Sequence, residues 1–215
     1  MSENRDGVYV WITWLSKVMA GEQSCEWASW FKAHKTYAKL PSDFDITAWS
    51  IEHTKRLREL RIERRKVGET VFVEGENSIR YAAPTGIVLA GKPDLIATSN
   101  RETTIYDVKT GQPKTSDRIQ VMIYMYLIPL AIEKYRGISP TGCVVYGENR
   151  VVIPSASVDE QFKEQFTYFL NIVGGREEPL KSPGPNECRF CDIPPSECAE
   201  RYQPIANTPM ANPAQ

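Results

Sequence analysis

The sequence predicts an α/β domain: a mixed central sheet flanked by helices, with a helical segment before it and a cysteine-rich loop after it. Three observations carry this. Apolar residues recur at helical spacing through the first third, and from Thr70 to Thr110 the pattern changes to short β-branched and aliphatic runs separated by turn residues. Eight of the fifteen prolines then fall at or after Pro179, together with three of the five cysteines, so the tail cannot be regular helix or sheet throughout. At 215 residues and 24.4 kDa the chain has room for one sizeable core and a small appendage, not for two large domains. Its 41% apolar and 25% charged residues exclude a disordered or fibrous chain.

Taken in order, Val8–Ala20 reads as a first helix and Gly21 interrupts it. Cys25–Leu40 forms a second, rich in Trp27, Trp30, Phe31 and Tyr37, and Pro41 stops it. Ser42 or Asp43 caps a longer helix reaching about Val67. On it Trp49, His53, Leu57 and Leu60 share one face, and Gly68 closes it. Strands follow at 71–73, 87–89, 95–96 and 103–108, broken by Asn77, Gly86, Gly91 and Ser99-Asn100. Helical character returns from Asp117 to Arg136, where Pro129 kinks or ends it. Gly142–Tyr146 and Arg150–Ile153 flank a hairpin turn, and a last helix runs from Val158 to Val173. These boundaries give a helical segment (1–69), a core (70–176), a cysteine-rich segment (177–202) and a mobile tail (203–215).

The formal net charge is −1, so any nucleic-acid affinity must be local. The densest basic run is Lys55–Lys66, with seven basic and two acidic residues in twelve; it suits either a solvated helix face or a phosphate-contacting surface. The opening residues MSENRDG do not fit a secretory leader, and Val8–Ala20 is too short to span a bilayer. A soluble cytoplasmic protein without membrane contact is expected. An odd cysteine count in such a chain argues against a disulfide framework and for ligation of a metal or cluster.

The chemistry concentrates in Gly91-Lys92-Pro93-Asp94, Asp107-Val108-Lys109-Thr110-Gly111, Gln120 and Tyr124. Strand alternation puts Ile105, Asp107 and Lys109 on one face, and pairing with the neighbouring strand lets Asp94 converge on Asp107. Two carboxylates with the Val108 carbonyl make a hard-oxygen site suited to Mg²⁺ or Mn²⁺. Such an ion can hold a scissile phosphate and lower the pKa of a bound water, with Lys109 orienting that water. Gln120 and Tyr124, four apart on the next helix, can bind water, phosphate or base.

In order and spacing, Pro93-Asp94, Asp107-Val108-Lys109 and Gln120-x-x-x-Tyr124 resemble the PD-(D/E)XK nuclease signature in its RecB-like form, with Gly91 and Thr110-Gly111 extending the match. The resemblance implies a restriction-endonuclease-like core and a metal-dependent deoxyribonuclease. By it, His53 completes the metal site with Asp94, Asp107 and the Val108 carbonyl, and Glu74 is an additional acidic ligand or an orienting residue. His34 has no such placement and reads as structural.

Cys188, Cys191 and Cys198, with Cys25, can grip one centre, and spacing alone admits tetrahedral zinc or a 4Fe-4S cluster. RecB-like nucleases of the AddB type and the CRISPR-associated exonucleases of the fourth Cas family carry one cysteine before the core and three after it. The resemblance therefore implies 4Fe-4S on these four. Cys25 is followed by Glu26 where those relatives commonly have proline. Cys143 reads as a buried apolar side chain.

The resemblance implies an exonuclease on single-stranded DNA ends, acting in CRISPR adaptation, phage DNA processing or recombination, with an integrase or recombination complex as partner. Two other readings stand beside it: a DNA-end binding or scaffolding subunit with little turnover, and a zinc-binding interaction module. Trp27, Trp30 and Phe31 are either core residues or stacking platforms for unpaired bases. Oligomeric state is not encoded in any pattern here.

Overall fold

The structure, a computed structural model, describes residues 2–42, 44–100 and 102–203. The tail from 204 onward lies outside the described residues, as does Asp43. A two-residue strand β1 (Glu3–Asn4) is followed by β2 (Tyr9–Trp11), α1 (Ile12–Met19) and α2 (Glu26–His34). Then come β3 (Lys35–Thr36), the long α3 (Ile46–Lys66), β4 (Thr70–Val73), β5 (Ile79–Ala82), β6 (Val88–Gly91), β7 (Leu95–Thr98) and β8 (Thr103–Lys109). The chain continues through α4 (Thr115–Ala131), the hairpin of β9 (Thr141–Tyr146) and β10 (Asn149–Ile153), α5 (Glu160–Gly174) and the short α6 (Pro185–Arg189).

The central sheet has the order β10-β9-β8-β7-β4. It is mixed: β8 and β9 are parallel and the remaining pairs antiparallel. A second sheet, β2-β6-β5, joins the N-terminal segment to the core, and β1 pairs with β3. Alternation along β7, β8 and β9 divides the packing in two. Ile96, Ile105 and Val144 face Val121, Met125 and Ile128 of α4 in the main core. On the opposite face Leu95, Tyr106, Val108, Cys143 and Val145 pack with Leu60 of α3. A third cluster joins Trp27, Trp30 and Phe31 of α2 to Ile193 and Cys198 of the tail, so these three aromatics are core residues.

Several sequence expectations need correction. Val8–Ala20 is not helical throughout: Tyr9-Val10-Trp11, an aromatic and β-branched tripeptide, pairs parallel with β6, and α1 starts only at Ile12. The second helix ends at His34 because Lys35 and Thr36 pair with Asn4 and Glu3. The cap of α3 is Asp45, whose Oδ1 accepts the Ala48 N–H at 2.9 Å, in place of Ser42 or Asp43. Ile79–Ala82 forms a strand that composition did not suggest, with only Ile79 fully buried. Pro129 lies within the last turn of α4, and the helix closes two residues later at Ala131.

Two glycines allow α4 to reach the sheets. A Cβ at Gly142 would lie 2.5 Å from Val121 Cγ1 and 2.7 Å from Met125 Sδ. One at Gly91 would lie 2.7 Å from Tyr124 Cε1 and 2.6 Å from Ile12 Cδ1. Gly142→Ala is therefore expected to destabilise the fold by about 1–3 kcal/mol, as overpacking does. Urea unfolding followed by tryptophan fluorescence measures this, and an unchanged midpoint would contradict the close approach.

Candidate functional site

The site lies where the chain crosses from one sheet to the other. After β6 it passes through Lys92-Pro93-Asp94 into β7, whose register pairs Leu95 with Tyr106. One step further along that register brings Asp94 opposite Asp107. Asp94 Oδ2 accepts the Val108 N–H at 2.7 Å and meets His53 Nε2 at 3.1 Å, which ties β8 and α3 to the turn before β7. The His53 ring stacks on Trp49, centroids 5.0 Å apart. Both carboxylates and the imidazole are buried.

Asp107 points into the same space from β8. Gln120 Nε2 donates to its Oδ1 at 3.1 Å and to the Tyr124 hydroxyl at 3.2 Å. Its Oδ2 is shielded from solvent, lies 2.7 Å from Lys109 Nζ and has no hydrogen-bond donor of good angle. Lys109 Nζ also donates to Gln120 Oε1 at 3.2 Å and lies 3.6 Å from Asp117 Oδ1. The Tyr124 hydroxyl in turn accepts the Lys92 N–H at 3.3 Å. Asp94, Asp107, Lys109, Gln120, Tyr124 and His53 thus line one cavity of about 670 Å³.

Burial is the largest influence on Asp107 and pushes its pKa well above the carboxylate range; Asp94 and Asp117 push the same way and Lys109 opposes. For Lys109, burial pulls downward, but Asp107, Asp117 and Asp94 outweigh it and keep the ammonium charged. Burial also raises the Tyr124 phenol, which stays protonated. Three carboxylates around one lysine leave excess negative charge in a water-poor place, and that favours a cation.

The donor chemistry fits a hard divalent cation: two carboxylates, a backbone carbonyl, one imidazole and the poorly satisfied Asp107 Oδ2. In the arrangement seen, Asp94 is turned to His53 and the Val108 N–H, and Asp107 to Lys109. Among the described residues, no group of three or more His, Cys, Asp and Glu is assembled that could hold a metal ion. Backbone at Glu74 follows β4 in a 3-10 turn, but its side chain lies outside the described positions.

Asp117 was not anticipated. It receives the Tyr146 hydroxyl at 2.8 Å and the Lys114 N–H at 3.1 Å; the available signal was its position three residues before Gln120 on the same helix face. Arg56 was equally unforeseen: it donates to the Lys109 carbonyl at 2.9 Å and pairs with Glu52 at 2.6 Å. Arg64 of the same basic run bonds Glu63 and the Tyr106 hydroxyl, so part of Lys55–Lys66 is occupied within the fold. His34 Nδ1 donates to the Trp30 carbonyl, 2.8 Å away, and its ring stacks on the Trp30 ring.

Cys25, Cys188, Cys191 and Cys198 line a second cavity of about 930 Å³, while Cys143 is buried apart from them under α3. Burial raises the Cys198 thiol, Cys25 and Cys191 add to this and Lys181 opposes. Asp192 anchors the segment. It meets Lys32 at 2.9 Å and the Tyr37 hydroxyl at 3.0 Å, and its carbonyl accepts the Leu40 N–H. Arg201 donates to the carbonyls of Cys188, Cys191 and Ile193 and so folds the loop around its own cysteines.

The family profile described as the PD-(D/E)XK nuclease superfamily matches residues 14–196. The chain belongs to that superfamily. No curated protein matches it in sequence. Among solved structures, the one described as "Crystal structure of SSO0001" is similar over 88% of this chain and 85% of that one, at 14% identity and a TM-score of 0.41.

A group whose folded pKa is raised contributes stability at low pH that is lost as the pH climbs through that raised value. Asp107→Asn removes this cost while keeping the shape of the side chain. In chelator, the variant is expected to melt a few degrees above the wild type at pH 8, with the difference shrinking as the pH falls toward the ordinary carboxylate range. Calorimetry across that range checks it; a lower melting temperature at pH 8 would show that the Lys109 ion pair outweighs the buried repulsion.

Proposed function

We propose that the protein is a metal-dependent deoxyribonuclease that hydrolyses phosphodiester bonds, with exonucleolytic action on single-stranded DNA ends. The observation that carries this reading is the buried Asp94 and Asp107 with the half-buried Lys109, facing one cavity in a chain of the PD-(D/E)XK superfamily. Asp94, Asp107, His53 and the Val108 carbonyl would hold Mg²⁺ or Mn²⁺, with Glu74 as a further candidate ligand. Bound there, the ion supplies charge for the scissile phosphate and acidity for the attacking water.

The chain's own groups would supply the rest. Lys109, kept protonated by its carboxylate neighbours, orients the water and adds positive charge beside the phosphate. Gln120 sets the rotamers of both Asp107 and Lys109 through its amide, and the neutral Tyr124 phenol steadies Gln120. Burial of Asp94, Asp107 and Gln120 lowers the local dielectric, so the charges of this cluster act at greater strength than they would in water.

On the same reading Cys25, Cys188, Cys191 and Cys198 hold a 4Fe-4S cluster, with zinc as the alternative, and its role is to fasten the tail to α2. The placing of all four around one cavity supports it. Anaerobically purified protein is then expected to be brown, with iron and acid-labile sulfide, and Cys191→Ser to be colourless; zinc would leave both colourless. The adaptation, phage or recombination setting, and an integrase-type partner, rest on the resemblance alone.

End-labelled single-stranded and duplex DNA, incubated with Mg²⁺ or Mn²⁺, tests the activity. Labelled single-stranded ends are expected to be degraded by the wild type, and Lys109→Ala to be slower by about a thousandfold, the usual size of a lost transition-state contact. Activity surviving in Lys109→Ala would place the chemistry elsewhere. Tight binding without cleavage by either protein would favour the scaffolding reading.

A further inference from the structure

The catalytic cavity is bordered by exposed aromatic rings that the core does not use. Trp11 and Trp49 line it and are each 40% exposed; Phe44, 61% exposed, lies 6.4 Å from Trp49 and lines the cysteine cavity. These positions have a reason to be polar if they served only the fold. Trp49 lies one turn beyond the Asp45 cap of α3, and Trp11 ends β2 at the N-cap of α1.

The two cavities share Lys114 in their walls. Beyond it, in the larger one, stand Lys17 and Lys32. Lys17 is solvent-exposed, yet enclosure by its surroundings, and then the charges of Lys114 and Lys32, lower its pKa, with Glu22 the opposing acid. Glu22 is itself engaged, accepting the Ser116 N–H at 2.8 Å and the Ser116 hydroxyl at 2.6 Å. Lys32 is held by Asp192 and Glu187 by Ser24, which leaves Lys17 and Lys114 to meet an anion, and the flat rings of the neighbouring cavity to meet flat apolar partners.

We propose that Trp49 and Trp11 stack unpaired nucleobases at the mouth of the catalytic cavity while Lys114 and Lys17 hold the adjoining phosphates at the edge of the cysteine cavity, outside the space its thiols enclose, so that this surface selects single-stranded polynucleotide. Rings in one cavity and cations in the cavity that adjoins it through Lys114 offer an unpaired strand partners for both its bases and its phosphates. A duplex, whose base faces are already stacked, offers only its phosphates to such a surface. The proposal rests on the nuclease reading for its biological use, but not for its test.

The test is fluorescence anisotropy with fluorescein-labelled oligothymidylate, the same strand made abasic, and a blunt duplex, all without divalent cations. Wild-type protein is expected to bind oligothymidylate more tightly than the abasic strand or the duplex. Trp49→Ala should weaken oligothymidylate binding about tenfold and leave the abasic strand nearly unaffected, with Trp49→Phe restoring most of the loss. Lys17→Ala with Lys114→Ala should lower the slope of log affinity against log salt by about 1.4 for two lost phosphate contacts. Circular dichroism melts verify that each variant folds. Equal binding of base-bearing and abasic strands by the wild type, or an unchanged salt slope in the lysine double variant, would overturn the proposal. Failure of the nuclease reading looks different: the wild type discriminates among the three probes but cuts none of them with Mg²⁺ or Mn²⁺.

Discussion

Placing three carboxylates beside one another out of water is the constraint on which this architecture depends. Asp94, Asp107 and Asp117 come from the turn before β7, from β8 and from α4, and each is held by groups of another element. His53 of α3 and the Val108 amide take Asp94, Lys109 and Gln120 take Asp107, and Tyr146 of β9 takes Asp117. Repulsion that would open an isolated cluster is countered here by a framework of five elements meeting at one point.

That framework explains features otherwise scattered through the fold. Alternation along β8 turns Asp107 and Lys109 toward α4 while Tyr106 and Val108 pack under α3, so the charged pair and the apolar core share one strand. Glycines at 91 and 142 remove the side chains that would hold α4 away. Arg56 adds a link from α3 to the Lys109 carbonyl, fixing the end of β8 from the opposite side of the sheet. Preorganisation of this kind limits rearrangement of the charged groups when substrate enters.

Much of the site was legible because its signals are local. Asp107 and Lys109 declare a shared face by their spacing in a strand, and Gln120 and Tyr124 do so by theirs in a helix. His53 was visible through the apolar companions Trp49, Leu57 and Leu60. Asp117 and Arg56 escaped notice because nothing local separates a helix-start aspartate, or one arginine among many, from a solvated charge; only pairing across elements does. Tyr9–Trp11 was misread for a related reason. Its apolar run suits a helix, and its pairing with β6 depends on residues almost eighty positions away. A stacking role for Trp27, Trp30 and Phe31 is excluded because the cysteine-rich segment covers them.

Contacts between α2 and the cysteine segment carry a further consequence, for biosynthesis. Ser24 is bonded to Glu187 across 163 positions, and Asp192 holds Lys32, Tyr37 and Leu40. While a ribosome is still making the central sheet, the aromatic face of α2 lacks both α5, whose following residue Gly175 accepts the Trp30 indole N–H, and the cysteine segment that completes the cover near residue 198. The nascent chain therefore leaves Trp27, Trp30 and Phe31 without their full cover for most of its synthesis, and closure of the periphery comes last.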